Sequence, residues 1–280
     1  MLDDGVRMDD RPPDDVLAYY ESGGERGRLD TPLGEVELLR TQELLLRYLR
    51  PSSDVLDVGG GTGVYAEWLA ALGHRVRLVD PVPLHLWEAQ QRAADGAPFE
   101  VEQGDARRLG VADESVDCVL LLGPLYHLSA RDQRLRALVE ARRACRRGGF
   151  VAAAAISRFA PLLDLLARRG LEDDRVRANV ADELERGARV APARRTSPFP
   201  DAYFHRVDEL AEEITEAGLT VEAIFGVEGP AALLADLGAR LRQPVARERV
   251  LWAARALETE PSVLGTSPHL LAVARRPEAR

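Results

Sequence analysis

Two hydrophobic rhythms divide this chain, and the change between them falls near residue 53. Before it, apolar positions recur at helical spacing. A short helical stretch runs from Asp14 to Tyr20 and breaks at Gly23-Gly24. A second helix opens at Pro32 behind Thr31, a capping residue, and carries Val36, Leu39, Leu44, Leu45 and Tyr48 on its apolar positions. After residue 53, short apolar runs alternate with helical patterns. Strands are expected at 55–58, 75–79, 99–102, 116–122 and 150–156, with helices at 64–72, 84–94 and 131–147, the last closed by Gly148-Gly149. This strand–helix order predicts an α/β fold: a Rossmann-like, mostly parallel sheet with helices on both faces.

The second half is less regular. Residues 160–186 read as helical, and 187–200 as a loop rich in Arg, Pro and Ala. Further on come a helix at 207–217, a strand at 220–225, two helices within 230–257 and a last strand at 269–274. The stretch between the strands at 150–156 and 220–225 exceeds what a crossover needs, so it is expected to cap a ligand site. The expected organisation is one domain over 1–280. It comprises a mobile tail at 1–13, lid helices at 14–50, a ligand-binding core at 51–157, a helical cap insertion at 158–219, and C-terminal strands and helices at 220–280.

Composition narrows the function. With 37 Lys plus Arg against 46 Asp plus Glu, the net charge is −9, a field that does not gather polyanions, so no nucleic-acid partner is expected. The apolar runs at 119–122 and 151–156 are too short to span a bilayer, and the N-terminus is acidic rather than a secretory signal. A cytoplasmic protein without a membrane partner follows, as monomer or homodimer. The two cysteines, Cys118 and Cys145, fit buried thiols, and the five histidines show no metal spacing.

The chemistry concentrates in Asp57-Val58-Gly59-Gly60-Gly61-Thr62-Gly63, between a strand and a helix. Glycines there let the backbone turn sharply and approach a ligand. A dinucleotide fingerprint would need glycine where Val64 stands, and a phosphate loop would need a lysine that is missing. Asp80 ends the second strand, where a carboxylate can accept from ribose hydroxyls. Asp105 follows the third, within Gly104-Asp105-Ala106, placed to accept an adenine amine. Leu122-Gly123-Pro124-Leu125-Tyr126-His127 follows the fourth. All fall at strand carboxyl ends, where open α/β sheets bind ligands.

In this ordered set, together with Arg147-Gly148-Gly149, the chain resembles a class I S-adenosylmethionine-dependent methyltransferase of the actinobacterial small-molecule type. The resemblance covers about residues 15–157, and the strands at 220–225 and 269–274 fit that family's terminal antiparallel hairpin. It implies a seven-stranded sheet and S-adenosyl-L-methionine as cofactor. Gly59 and Gly61 would run along the methionyl part, Asp80 would hold the ribose, Asp105 and Ala106 would edge the adenine, and Pro81 and Val82 would pack on its face. Leu122 and Gly123 would give main-chain contacts near the sulfonium. Tyr19 and Tyr20 would belong to an N-terminal lid, and Arg40 to a helix beside the cofactor carboxylate.

Methyl transfer to a small-molecule acceptor, possible in specialised metabolism, is the function this implies. His127 is the first candidate base and His205 the second. Tyr126 and Tyr203 are expected at the acceptor, with Arg158 or Arg206 pairing with it if it is anionic. Two alternatives stay open: other chemistry, such as a cyclisation, in the same pocket, and a regulatory binding module without turnover.

Overall fold

A computed structural model describes residues 14–189 and 199–278. The expected tail at 1–13 and most of the loop expected at 187–200 lie outside the described residues. The chain opens with α1 (Asp14–Glu21) and α2 (Pro32–Leu46). The cap of α2 forms as expected: Thr31 Oγ1 accepts the Gly34 amide at 3.1 Å, and Pro32 sits where no amide donor is needed. The core follows as β1 (Asp54–Val58), α3 (Val64–Ala71), β2 (Arg75–Asp80), α4 (Pro83–Asp95), β3 (Glu100–Gln103) and β4 (Val116–Leu121). A one-turn helix, α5 (Pro124–His127), leads to α6 (Arg131–Ala144) and β5 (Cys145–Ile156).

The insertion holds α7 (Ala160–Ala167), α8 (Asp174–Arg186) and a two-stranded ladder of β6 (Ala188–Arg189) and β7 (Ala202–Tyr203). The chain closes with α9 (Val207–Glu216), β8 (Thr220–Gly226), α10 (Leu237–Leu241), α11 (Pro244–Leu257) and β9 (His269–Arg275).

Seven strands form one sheet in the order β3-β2-β1-β4-β5-β9-β8. The first five run parallel, and β9 is antiparallel to both its neighbours. Strand order reverses beside β1, because β2 and β3 build out on one side and β4 on the other. That reversal opens a crevice at the carboxyl ends of β1 and β4.

The central strands β1, β2, β4 and β5 are largely buried on both faces and read as apolar runs, whereas the edge strand β3 is mostly exposed. Leu56 and Val58 face a core shared with Ala137, Leu138 and Ala141 of α6 and Leu210 and Ile214 of α9. Val55, two residues from Asp57, faces the opposite core with Leu44 and Leu45 of α2 and Ala66 and Leu69 of α3. Asp57 therefore points under the glycine loop on the α3 side.

One boundary differs from expectation. The expected helix at 131–147 ends at Ala144, and β5 begins at Cys145 rather than at 150. Cys145 takes extended dihedrals and pairs with Val116, while Gly148 at φ +69° accommodates the irregular register that follows. Of the expected helix, Arg146 and Arg147 belong to the strand. Arg146 turns onto Asp54 and Asp117, at 2.9 and 2.7 Å. No helix of the described residues is long and apolar enough to cross a membrane.

Candidate functional site

The loop after β1 takes its shape from its glycines. Gly59, Gly61 and Gly63 all adopt left-handed φ, at +67°, +57° and +83°. Space forbids side chains as strongly as conformation does. A Cβ on Gly59 would sit 3.0 Å from Pro124 Cδ, and one on Gly60 only 2.7 Å from Asp57 Oδ2. The loop, the ends of β2, β3 and β4, and the inner side of α1 line one cleft. The sequence candidates Asp57, Gly59 and Gly61 line it from β1, and Asp80 and Pro81 from β2. Gly104, Asp105 and Ala106 line it after β3, while Leu122, Gly123, Tyr126 and His127 do so after β4. Tyr20 closes it from α1.

The three carboxylates are in different states. Asp57 is fully buried, and neither of its oxygens has a partner among the described residues. Burial, and secondarily the charge of Asp80, pushes its pKa up to about 7. Asp80 is also buried but well satisfied: Oδ2 accepts the Gly61 amide and Oδ1 the Val82 amide, both at 2.9 Å, with His85 Nδ1 at 3.1 Å. It thus ties the glycine loop to the turn after β2. Asp105 folds back on its own loop and pairs with Arg107 at 2.8 Å. Any hydrogen bond it makes to a ligand shares oxygens already used by that guanidinium.

Aromatic rings form the wall facing α1. The Tyr20 hydroxyl lies 2.6 Å from His127 Nε2, and the Tyr20 ring meets His85 edge-on at 4.9 Å and His127 at 5.2 Å. Tyr126 packs on His127 from below at 4.7 Å, and Phe199 approaches from the insertion at 5.7 Å. Enclosure lowers the His127 pKa to about 4, a backbone hydrogen bond at Asp201 and the charges of Asp15 and Asp80 opposing it only partly. His127 is therefore neutral at physiological pH. Burial also raises the Tyr20 hydroxyl well above its ordinary range, so the phenol donates and Nε2 accepts.

Several sequence candidates lie elsewhere. Tyr19 props Tyr20 and Phe199 from behind, at ring distances of 5.1 and 5.8 Å, without lining the cleft. Arg40 is fully buried on the far side of α2, where it pairs with Glu43 and Glu258 and reaches the Val227 carbonyl. Its helical phase, shared with Val36 and Leu44, turns it to the core beside α11 and not to the cleft.

His205 is buried too. Its backbone bridges to Ser157, and its Nε2 faces Glu213 at 3.4 Å. Glu213 in turn grips Arg134 of α6, whose guanidinium stacks on the Tyr203 ring at 3.6 Å. Arg158 binds Glu209 and the Phe204 carbonyl, and exposed Arg206 lies over Phe159. The contacts of His205, Tyr203, Arg158 and Arg206 are thus taken up within the insertion and with α6. These residues do not line the cleft; among the described residues of the insertion, Phe199 and the Asp201 backbone contact its His127 wall.

Sequence reading missed Glu25, Arg28, Tyr65 and His85, all of which line the cleft. Glu25 and Arg28 sit in the glycine-rich turn between α1 and α2, where charged residues usually face solvent. The signal available was Pro83 opening α4 right after Asp80, which puts His85 one turn above that carboxylate.

A glycine cradle that a Cβ would fill, an orphaned buried carboxylate, and hydrogen-bonding groups at consecutive strand ends all fit a nucleoside joined to an amino acid. Residues 55–149 match the family described as a methyltransferase domain. The ubiquinone biosynthesis O-methyltransferase of Azorhizobium caulinodans is 37% identical over 86 residues, which cover 30% of this chain and 34% of that protein. The chain spans about a third of the length of the curated relatives it matches.

Among solved structures, an S-adenosylmethionine-dependent methyltransferase from Methanosarcina mazei superposes with a TM-score of 0.58 at 17% identity, over 84% of this chain and 98% of that one. A chain in the complex between the Haloferax volcanii Trm112 methyltransferase activator and a methyltransferase superposes at 0.61 with 20% identity, covering 95% and 99%. At such identities the likeness is one of fold. Residues 55–149 therefore match a methyltransferase domain, and the chain as a whole shares the fold of S-adenosylmethionine-dependent methyltransferases of known structure.

Proposed function

We propose, taking the domain at 55–149 as premise, that the whole chain transfers a methyl group from S-adenosylmethionine to a small-molecule acceptor bound under α1. The single observation carrying this reading is the cleft itself. It joins the glycine loop and the strand-end carboxylates to an aromatic wall, Tyr20, Tyr126 and His127, in one space. Within it, Asp80 and Asp105 would hold the ribose and adenine, the glycine loop the methionyl chain, and Pro81 and Ala106 the purine edge. When bound, the cofactor supplies an electrophilic methyl group on a sulfonium.

The chain's own residues then have three tasks. The ring wall excludes water, which favours displacement at a dry centre. Leu122 and Gly123 border the space where acceptor and methyl group must align. His127, neutral and presenting Nε2, can accept a proton from an acceptor hydroxyl that takes the place of the Tyr20 hydroxyl. With a pKa near 4 it is a weak base, so it suits acidic hydroxyls or amines that are already nucleophilic. The acidic lining, with Glu25, Asp57, Asp80 and Asp105, supports a small acceptor over nucleic acid.

The test is transfer of labelled methyl from S-adenosylmethionine to a panel of small phenols, amines and carboxylic acids. Labelled product from at least one class is expected. Turnover of an acceptor without incorporation of label would favour other chemistry in the pocket.

A further inference from the structure

One charged cluster at the cleft is not used by the reaction as outlined. Arg28 Nε donates to both oxygens of Glu25, at 2.9 and 3.1 Å, and Nη1 donates to Glu37 at 2.5 Å. Glu37, on α2, lies 3.7 Å from His269 Nδ1. His269, the first residue of β9, is held by Glu228, a fully buried carboxylate that also accepts the Ser267 hydroxyl and the His269 amide at 3.0 Å. The cluster thus reaches from the cleft to the sheet's C-terminal hairpin.

Its charges do not balance. Burial works against a charged His269, yet Glu37 and Glu228 together push its pKa up to about 9, so it is a cation at neutral pH. Arg28 is the second cation. Against these two stand three carboxylates, Glu25, Glu37 and Glu228. Glu37 and Glu228 share His269, and Glu37 also has Arg28. The uncompensated charge therefore falls on Glu25, at the cleft surface, where burial raises its pKa. Its Cγ is only 3.9 Å from where a Gly61 side chain would begin. Arg28 also keeps capacity: the bonds above use two of a guanidinium's five N–H donors. A carboxylate that shares its cation with Glu37 and a guanidinium with donors to spare thus stand side by side over the glycine loop. Asp80 and Asp105 line the same cleft at the ends of β2 and β3.

We propose that Glu25 and Arg28 receive the ammonium and the carboxylate of the cofactor's amino-acid end, and that Glu37, His269 and Glu228 are positioning residues fixing the Arg28 guanidinium from behind. This rests on the cofactor reading above. It gives Arg28 the part that sequence resemblance implied for Arg40.

The test is calorimetric binding of two ligands to the full chain. S-adenosylhomocysteine carries the amino-acid end, whereas methylthioadenosine keeps the nucleoside and thioether without it. Glu25→Gln and Arg28→Gln are expected to weaken S-adenosylhomocysteine by about tenfold or more, the scale of a charge-assisted contact. Methylthioadenosine affinity should stay within about twofold. His269→Gln should shift the same ratio in the same direction, a readout that general loosening of the fold would not move. Should that buried variant fail to fold, Glu37→Gln carries the test. Equal losses on both ligands, or unchanged S-adenosylhomocysteine binding in the variants, would overturn the proposal. Wild-type protein that binds neither ligand would overturn the cofactor reading, and this proposal with it.

Discussion

Asp57→Asn offers a quantitative check on the electrostatics of the cleft. The folded-state pKa, about 7, lies above the ordinary value of 3.8, because both oxygens are buried without partners and Asp80 is near. The folded chain then holds a proton that the unfolded chain releases above pH 4. Stability must fall as pH rises from about 4 to 7 and level off beyond. The distance between the two values is worth about 4 kcal/mol. The group is fully buried, so solvent screening takes little from it.

Asparagine keeps the shape and removes the titration. Melting of both chains should be followed between pH 4 and 8 in the absence of ligand. Other groups titrate in both chains and cancel in the difference. The variant should gain on the wild type through this window, by on the order of 8 °C if each kcal/mol moves Tm by about 2 °C. Melting curves that stay parallel from pH 4 to 8 would mean Asp57 is hydrated or paired, and would refute the argument.

Three further outcomes follow from the same geometry. His127→Ala should lower kcat by about 100-fold while S-adenosylhomocysteine affinity stays within about twofold. The wild-type pH–rate profile should show no limb at the ordinary histidine value of 6.5, since the folded pKa is about 4. A limb near 6.5 that vanishes in the variant would contradict the enclosed, neutral imidazole. Arg40→Met should cost about 1–2 kcal/mol through the lost buried ion pairs, since Glu258 keeps Arg47, with ligand affinity unchanged; lost affinity at an unchanged Tm would return Arg40 to the ligand. Gly59→Ala forces a Cβ to 3.0 Å from Pro124 at φ +67°, which should destabilise by about 1–2 kcal/mol and weaken cofactor binding. Denaturant unfolding and calorimetry would show it, and an unperturbed variant would mean the loop yields more than its packing suggests.

Much of the core was legible because its signals are local. Buried parallel strands read as apolar runs, and the turns after them carry glycines and aspartates whose conformations only a few residue types allow. Gly59, Asp80 and Asp105 therefore stood out by position alone. The rest depends on contacts distant in sequence. Glu25 and Arg28 look like a solvated turn until Glu37 and, beyond it, His269 surround them. His205 and Tyr203 were expected at the acceptor, but Arg134 and Glu213, 79 residues apart, draw them into the packing of the insertion. Resemblance put Arg40 beside the cofactor carboxylate, but its helical phase turns it into the core, where Glu43 and Glu258 take its charge. The early start of β5 escaped because arginines favour helix until Asp54 and Asp117 claim them.

The account stands on one claim, that the cleft over the glycine loop binds S-adenosylmethionine. Calorimetric titration of the wild-type chain and of Asp80→Ala with S-adenosylhomocysteine addresses it most directly. One site per chain in the wild type is expected, with affinity lost or severely weakened once the carboxylate bonded to the Gly61 and Val82 amides is removed. No binding to the wild type, or equal binding to both chains, would contradict it.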